Sequence, residues 1–226
     1  MGTHDQKALR VMRSREQAKR TYDKLSRFYD YFIGIFENKY RNKALEMLQI
    51  KKGETILEVG FGTGQCLIQI AERVGERGKT YGIDISSGML QVAARKIDKA
   101  GLSDRVELYL GDALQMPYRS NKFDAVFLSF TLELFDTPEI PKVLDEIKRV
   151  LKPGGRLGGV SMSREYGATM SLKIYEWFHE KFPAYADCRP IYVYNTLREA
   201  GYKIEHSEKA GLFGIPVIII TAGTLK

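Results

Sequence analysis

The sequence predicts an α/β fold in which a mostly parallel sheet is covered by helices on both faces. Short apolar segments typical of strands alternate with segments whose apolar residues recur at helical spacing, which implies right-handed βαβ crossovers. A glycine-rich turn follows the first strand, and a carboxylate ends the second. The 226 residues, 44% hydrophobic and 28% charged, are enough for one substantial core.

The elements follow one another at regular intervals. Strands are predicted near residues 55–59, 80–84, 106–110, 123–129, 156–161, 202–207 and 217–222. Helices are predicted near residues 40–48, 64–75, 87–100, 139–151, 170–182 and 192–200, with a short one around 113–117. Ser86 is suited to cap the helix that starts at residue 87, because its hydroxyl can accept from a backbone N–H of the first turn. The Pro153-Gly154-Gly155 segment predicts a turn before the fifth strand.

The turn after the first strand places glycines at alternate positions: Gly60, Gly62 and Gly64. A dinucleotide fingerprint requires glycine where this chain has Gln65, and no Lys-Ser or Lys-Thr pair follows as in a P-loop. Asp84 ends the second strand, where a carboxylate can accept hydrogen bonds from two ribose hydroxyls. The pattern therefore predicts a nucleoside site at the carboxyl ends of neighbouring strands.

Five blocks, in order and spacing, resemble the signature of the class I S-adenosylmethionine-dependent methyltransferases. They are Glu58-x-Gly60-x-Gly62-x-Gly64, Gly82-Ile83-Asp84, Gly111-Asp112-Ala113, Phe123 to Ser129, and Leu151 to Leu157. The resemblance implies a Rossmann-like, seven-stranded, mostly parallel sheet with helices on both faces and an antiparallel last strand. Residues 51–226 would form this domain, after an N-terminal basic helical arm and lid formed by residues 1–50. S-adenosylmethionine is the implied cofactor.

The resemblance assigns the methionine part of the cofactor to the first strand and its turn. Glu58 would take up the cofactor ammonium, directly or through water, and the Thr63 hydroxyl would join that contact. Gly60 and Gly62 let the backbone approach the ligand closely. The helix that starts near Gly64 offers unpaired N–H groups to the cofactor carboxylate.

The nucleoside part is assigned to the following strands. Asp84 would bind the ribose, and Asp112 would accept a hydrogen bond from the adenine amino group. The backbone N–H of Ala113 would donate to a ring nitrogen. Ser129, at the end of the fourth strand, matches a position that contacts the cofactor in the quinone-pathway branch of the family.

The N-terminal region narrows the resemblance further. Tyr22-Asp23-x-x-Ser26-x-x-Tyr29-Asp30 resembles the lid helix of the ubiquinone/menaquinone-biosynthesis C-methyltransferases and of bacterial phosphatidylethanolamine N-methyltransferases. Tyr22 and Tyr29 are therefore candidates for closing the pocket over the cofactor. Met116-Pro117-Tyr118 also resembles the quinone branch.

The acceptor site is expected from residues 162–190 and 208–216, which lie nearest the reacting methyl group. Their aromatic side chains would make it apolar: Trp177, Phe178, Phe182, Tyr185 and Phe213. Methyl transfer from a sulfonium requires alignment and exclusion of water, and it needs a general base only when the acceptor must lose a proton. His179 and Arg189 are the catalytic candidates there, because they could move a proton or hold an anion.

The expected function is methyl transfer to a small-molecule or lipid-like acceptor, either a quinone precursor or a phospholipid amine. RNA or protein methylation is an alternative, although Ser129-Phe130-Thr131-Leu132 lacks the Asn/Asp-Pro-Pro-aromatic turn used on base amino groups and glutamine. An NAD-linked oxidoreductase is an alternative of another class, against which Gln65 and the Gly111-Asp112 block count. A noncatalytic cofactor-binding protein is a third.

Charge is distributed unevenly along the chain. Residues 1–52 carry 13 Lys/Arg and 6 Asp/Glu, whereas the remaining 174 residues carry 22 of each. A basic leader favours peripheral contact with an anionic membrane, and a solvated helical arm is the alternative. Cys66 and Cys188 have no metal-site spacing, and we expect no metal site. Reduced thiols and a charged N-terminus predict a cytoplasmic protein, peripheral at the membrane. The oligomeric state is left open.

Overall fold

The computed structural model describes residues 35–167, 170–181 and 188–224, so the predicted lid tyrosines Tyr22 and Tyr29 lie outside the described residues. One sheet contains the strands β1 (Thr55–Val59), β2 (Lys79–Asp84), β3 (Val106–Leu110), β4 (Phe123–Ser129), β5 (Leu151–Met162), β6 (Tyr202–Leu212) and β7 (Ile215–Thr224). Their order is β3-β2-β1-β4-β5-β7-β6. The strands β1 to β5 pair in parallel, and β7 pairs antiparallel with both β5 and β6. The predicted fold class is confirmed.

Helices cover both faces of this sheet. They are α1 (Ile35–Met47), α2 (Gln65–Val74), α3 (Ser87–Lys99), α4 (Ile140–Val150), α5 (Met170–Lys181) and α6 (Val193–Glu199), with a 3-10 turn at Leu132–Leu134. Successive residues of β4 point to opposite faces. Ala125 and Phe127 are buried in a core cluster with residues of α1 and α2, whereas Val126 and Leu128 are buried in another with residues of α4 and α6. A strand buried on both sides explains the continuous apolar run in its sequence.

The strand order positions the functional site. Starting from β1, the chain builds outward through β2 to β3 and then returns on the other side of β1 with β4. The sheet therefore reverses its winding between β1 and β4. In open parallel sheets a crevice forms at the carboxyl ends of the strands at this switch point.

Two local predictions differ from the structure. The helix predicted around 113–117 is wrong: these residues form a turn, in which the Leu114 N–H donates to Asp112 Oδ1 at 2.9 Å and the Met116 N–H to Glu146 Oε2 at 2.8 Å. Carboxylate oxygens therefore accept from these two N–H groups, in place of the backbone carbonyls that would accept in a helix. The strand predicted from residue 156 begins at Leu151, and its register with β4 shifts across the Pro153-Gly154-Gly155 segment, so the expected turn is a bulge inside β5.

Candidate functional site

A pocket opens at the carboxyl ends of β1, β2, β3 and β4. Of the residues that the sequence predicts to bind cofactor, eight line it: Glu58, Gly60, Gly62, Thr63, Asp84, Asp112, Ala113 and Ser129. Gly64 does not line this pocket. It is the residue before α2, and its backbone has a left-handed conformation. The structure therefore brings together groups that come from four separate strands of the sheet.

The three turn glycines have positive φ angles, but the space around a Cβ added at each position differs. A Cβ added at Gly60 would lie 2.4 Å from Thr131 Cγ2, and one added at Gly64 would lie 2.9 Å from Ala93 Cβ. At Gly62, φ is +54° and nothing lies within 4 Å of an added Cβ. Close packing and backbone conformation exclude larger residues at the first and third positions, whereas conformation alone opposes them at the second.

Asp84 joins the end of β2 to the glycine turn. Its Oδ2 accepts from the Gly62 N–H and its Oδ1 from the Ser86 N–H, both at 2.9 Å. These two bonds orient the carboxylate at the pocket wall. A carboxylate offers about four acceptor positions, so this geometry permits further bonds to the two hydroxyls of a ribose.

The segment after β3 closes the next part of the pocket. Gly111 N–H donates to the Asp84 backbone carbonyl at 2.9 Å, which holds this segment against the tip of β2. Asp112 and Ala113 both line the pocket, and Met89 from α3 lies on the wall with them. A carboxylate acceptor and an apolar wall side by side suit the polar edge and flat face of an adenine ring.

Glu58 is a buried carboxyl with an unsatisfied atom. The Cys66 thiol and the Leu67 N–H donate to this carboxyl, while Oε2 has no hydrogen-bond partner among the described residues. Burial raises the pKa of Glu58 well above its usual range, and the nearby Arg41 guanidinium opposes that rise. A buried acceptor without a partner is costly, and an ammonium group at this position would satisfy it.

Arg41 is a site residue that the sequence-based prediction missed. It reaches the pocket from α1, donates from Nε to Ser129 Oγ at 3.2 Å, and forms an ion pair with the buried Glu37. Burial raises the pKa of Glu37 to about 6, and Arg41 counteracts this. Arg41 is the only Lys or Arg among the described residues that line the pocket, and it can hold the cofactor carboxylate.

The segment after β4 forms the far end of the pocket and is strained. Phe130 lines it, is buried, and has a φ of +49°, a conformation that non-glycine residues rarely adopt. Behind it, Glu133 is fully buried and accepts from the Met162 N–H and the Ser161 hydroxyl. Burial raises the pKa of Glu133 to about 7, so this group is largely protonated below neutral pH.

Among the residues predicted for catalysis and acceptor binding, the three whose side chains the structure describes, Arg189, Trp177 and Phe213, lie outside this pocket. Arg189 does not line the cofactor pocket; it is buried and donates from Nη2 to the carbonyl of Phe135, a residue of the pocket wall. His179 belongs to α5, and its side chain is outside what the structure describes, like those of Phe178, Phe182 and Tyr185. Trp177 and Phe213 are exposed, so they do not form the expected apolar chamber in the described structure.

These groups match the chemistry of S-adenosylmethionine. Asp84 supplies paired acceptors for a ribose, the unsatisfied Glu58 oxygen suits an ammonium, and Arg41 suits a carboxylate. The negative charge of the Asp84 carboxylate also favours a cationic sulfonium ligand. In the described ranges no group of three or more His, Cys, Asp or Glu is arranged to hold a metal ion.

Comparison with known proteins supports this fit. Residues 56–155 match the family model described as "Methyltransferase domain". A demethylmenaquinone methyltransferase from Symbiobacterium thermophilum is 30% identical over 189 residues, which cover 77% of this chain and 74% of that protein. The corresponding protein from Listeria welshimeri is 34% identical over 153 residues, 66% of this chain, and the match spans 64% of its length.

Among solved structures, a SAM-dependent methyltransferase from Aquifex aeolicus superposes with a TM-score of 0.62 at 29% identity. The match covers 80% of this chain and 88% of that one. The chain belongs to the class I S-adenosylmethionine-dependent methyltransferases, in the branch that contains the demethylmenaquinone methyltransferases.

Proposed function

We propose that this protein transfers a methyl group from S-adenosylmethionine to an apolar, aromatic acceptor of the quinone type. The observation that carries the proposal is the row of groups at the strand tips. Asp112 follows β3, Asp84 ends β2, Glu58 lies on β1 and Ser129 ends β4, in the order in which these strands pair. Three steps between strands amount to roughly 14 Å, the length over which an adenine, a ribose and an amino acid chain can extend.

This row gives the ligand a direction. The adenine would lie at Asp112, the ribose at Asp84 and the amino acid group between Glu58 and Arg41. The reacting methyl group would then point towards the segment after β4. That part of the pocket is lined by Phe130, Thr131, Leu134 and Phe135, so an acceptor that reaches the methyl group there meets apolar and aromatic side chains.

The cofactor, when bound, supplies an activated methyl group on a positively charged sulfur. In the transfer, the acceptor carbon would bond to the methyl group, the electron pair of the broken carbon–sulfur bond would stay on the thioether, and the proton of the methylated ring carbon would leave to water. The protein holds both partners in line and keeps water away. Buried Phe130 and the hydrogen-bonded Arg41 and Ser129 line the pocket and would form its wall beside the reacting atoms.

The family relatives favour a quinone acceptor over a phospholipid amine. Two of them, reported above, are named demethylmenaquinone methyltransferases, and the apolar end of the pocket suits an aromatic ring. A dinucleotide cofactor, the alternative of a different class, fits less well. Its pyrophosphate would lie over the glycine turn, where the buried Glu58 carboxyl already lines the pocket.

A labelled-methyl assay tests the proposal. Purified protein is incubated with S-adenosylmethionine carrying a labelled methyl group and with either a reduced demethylated naphthoquinone or phosphatidylethanolamine. We expect label in the quinone fraction, with Asp84→Asn inactive and Asp104→Asn, an exposed carboxylate away from the pocket, fully active. Label in the phospholipid alone would show that the acceptor is a phospholipid amine and not a quinone. Absence of transfer to both acceptors would contradict the proposal.

A further inference from the structure

Four large apolar side chains are exposed on one side of the molecule. Met170, Ile174 and Trp177 are 73%, 60% and 56% exposed, and their spacing places them on one face of α5. Phe213, at the tip of the β6–β7 hairpin, is 70% exposed. The tip and the helix are in contact, because a Cβ added at Gly214 would lie 2.5 Å from Ser171 Oγ. We call these four side chains the apolar rim.

The backbone at Phe213 is strained, although its side chain is exposed. Phe213 and Gly214 have φ angles of +51° and +79°, the combination of a two-residue type I′ hairpin turn. Asn-Gly or Asp-Gly is usual there, since a bulky residue in the left-handed region is strained by about 1–2 kcal/mol. Burial does not offset that strain at an exposed tip. A strained backbone at a largely exposed aromatic residue supports a function for that side chain.

Helix α1 connects this rim to the basic end of the chain. Lys43 pairs with Glu208 at 3.3 Å, and the Tyr40 hydroxyl donates to the Gly211 carbonyl, so α1 approaches the hairpin tip as it is followed towards Ile35. Residues 1–34, which enter α1 at this end, carry eight Lys/Arg and four Asp/Glu. The net positive residues 1–34 therefore join the described chain at Ile35, the end of α1 that approaches the hairpin tip.

We propose that the apolar rim inserts into the interfacial layer of an anionic lipid bilayer, to which the net positive charge of residues 1–34 attracts the chain. The two features act together, because apolar insertion and attraction to anionic lipids add their binding free energies. The inference deepens the proposed function, since a quinone-type acceptor resides in a membrane. No helix in the described ranges has the length and apolarity to cross a bilayer, so the contact is peripheral.

A second copy of the chain is a poorer fit to this surface. The exposed parts of four such side chains amount to roughly 500 Å², whereas a stable protein interface buries about 800 Å² on each partner. Their position on a projecting hairpin tip and one helix face also suits a soft surface better than a flat one. A bilayer can deform around such a shape, so no shape complementarity is required.

Co-sedimentation with vesicles tests the proposal. The full chain, without cofactor or acceptor, is mixed with vesicles of phosphatidylglycerol and phosphatidylcholine or of phosphatidylcholine alone. We expect Phe213→Asn and Trp177→Gln each to lower partitioning to the anionic vesicles by about tenfold. Phe213→Asn creates an Asn-Gly turn and should keep or raise the melting temperature, which separates loss of insertion from loss of fold.

Leu110→Asn is the matched control, because Leu110 is 45% exposed on β3, the strand at the opposite edge of the sheet. It should bind vesicles like the wild type. Equal partitioning of all variants, or an equal loss in Leu110→Asn and Phe213→Asn, would overturn the proposal. So would a wild-type dimer that Phe213→Asn dissociates and that ignores vesicles. Each of these results would leave methyl transfer, measured in the labelled-methyl assay, standing.

Discussion

The carboxylate of Asp84 accepts a hydrogen bond from the Gly62 N–H at 2.9 Å, although 22 positions separate the two residues. The bond joins the glycine turn after β1 to the tip of β2, and both segments line the pocket. The second carboxylate oxygen accepts from Ser86 N–H, and the Ser86 hydroxyl in turn accepts from the Met89 N–H at the start of α3. The carboxylate that we propose to bind the ribose is therefore held by backbone contacts on both sides.

Replacing Asp84 with Asn should weaken cofactor binding and also destabilise the protein. The amide has one acceptor oxygen, so it cannot serve a ribose and both backbone N–H groups. We expect at least about a hundredfold loss of affinity for S-adenosylmethionine, and a loss of unfolding free energy of about 1–2 kcal/mol. Isothermal titration and chemical denaturation measure these two effects. Asp104→Asn is the control, and unchanged affinity in Asp84→Asn would contradict the assigned site.

Arg41 should govern both affinity and its dependence on pH. Without its charge the pKa of Glu58 rises further, so the ionised form that holds the ammonium requires a higher pH. Arg41→Met should therefore lower affinity at least about tenfold, and the affinity should fall more steeply as the pH is lowered. Arg41→Lys keeps the charge and should recover part of the loss, whereas Lys43→Met, a surface change on the same helix, should have no effect. Titrations at several pH values would show these differences, and identical pH profiles would count against the role of Arg41.

Gly60 and Thr131 form a packing pair that a double-mutant cycle can test. Gly60→Ala places a methyl group 2.4 Å from Thr131 Cγ2 at a φ of +69°, so we expect a loss of about 2–4 kcal/mol in unfolding free energy. Gly62→Ala meets no neighbour and should cost only about 1 kcal/mol. Adding Thr131→Ala to Gly60→Ala should recover part of the stability. Strict additivity in denaturant titrations would show that the two residues do not interact.

The buried Glu133 should make stability decline as the pH rises. Burial holds its pKa at about 7 in the folded chain, above the ordinary value of 4.5 for a glutamate. This difference in pKa contributes about 3 kcal/mol to the unfolding free energy. The contribution is complete below pH 4.5 and is lost as the pH rises through 7. Glu133→Gln should reduce this decline in melting curves recorded between pH 4.5 and 8, while the contributions of Glu37 and Glu58, whose pKa values burial also raises, should remain.

Glu146 provides the control of opposite sign for that measurement. The hydrogen bond from Arg149 lowers the pKa of Glu146, so its contribution is present at neutral pH and is lost in acid. Glu146→Gln should therefore reduce stability at pH 7 and leave the decline at higher pH unchanged. An unaltered pH profile in Glu133→Gln would contradict the assignment of that decline to Glu133.

The features predicted correctly from the sequence are those that depend on residues close together along the chain. The bounds of β1, β3 and β4 were predicted at residues 55–59, 106–110 and 123–129, as the structure has them. Each is an apolar run ended by a glycine or polar turn. The positions of Asp84 and Asp112 followed in the same way, because a carboxylate directly after a strand must lie at its carboxyl end.

The features that were missed depend on contacts between distant parts of the chain. Arg41 reaches Ser129 across 88 positions, and no local pattern marks a lysine-rich or arginine-rich helix as part of a pocket. The false helix at 113–117 fails because Glu146, on α4, supplies an acceptor to the Met116 N–H. Trp177 and Phe213 were assigned to an acceptor chamber by composition alone, whereas the tertiary fold exposes them.

The most direct test of the central claim is a crystal structure of the protein with S-adenosylhomocysteine. The ribose hydroxyls should lie within hydrogen-bond distance of the Asp84 carboxylate. The ligand ammonium should meet Glu58 Oε2, its carboxylate should face Arg41, and its sulfur should point towards Phe130. A ligand bound elsewhere, or one whose ribose does not contact Asp84, would contradict the claim that these strand tips form the cofactor site.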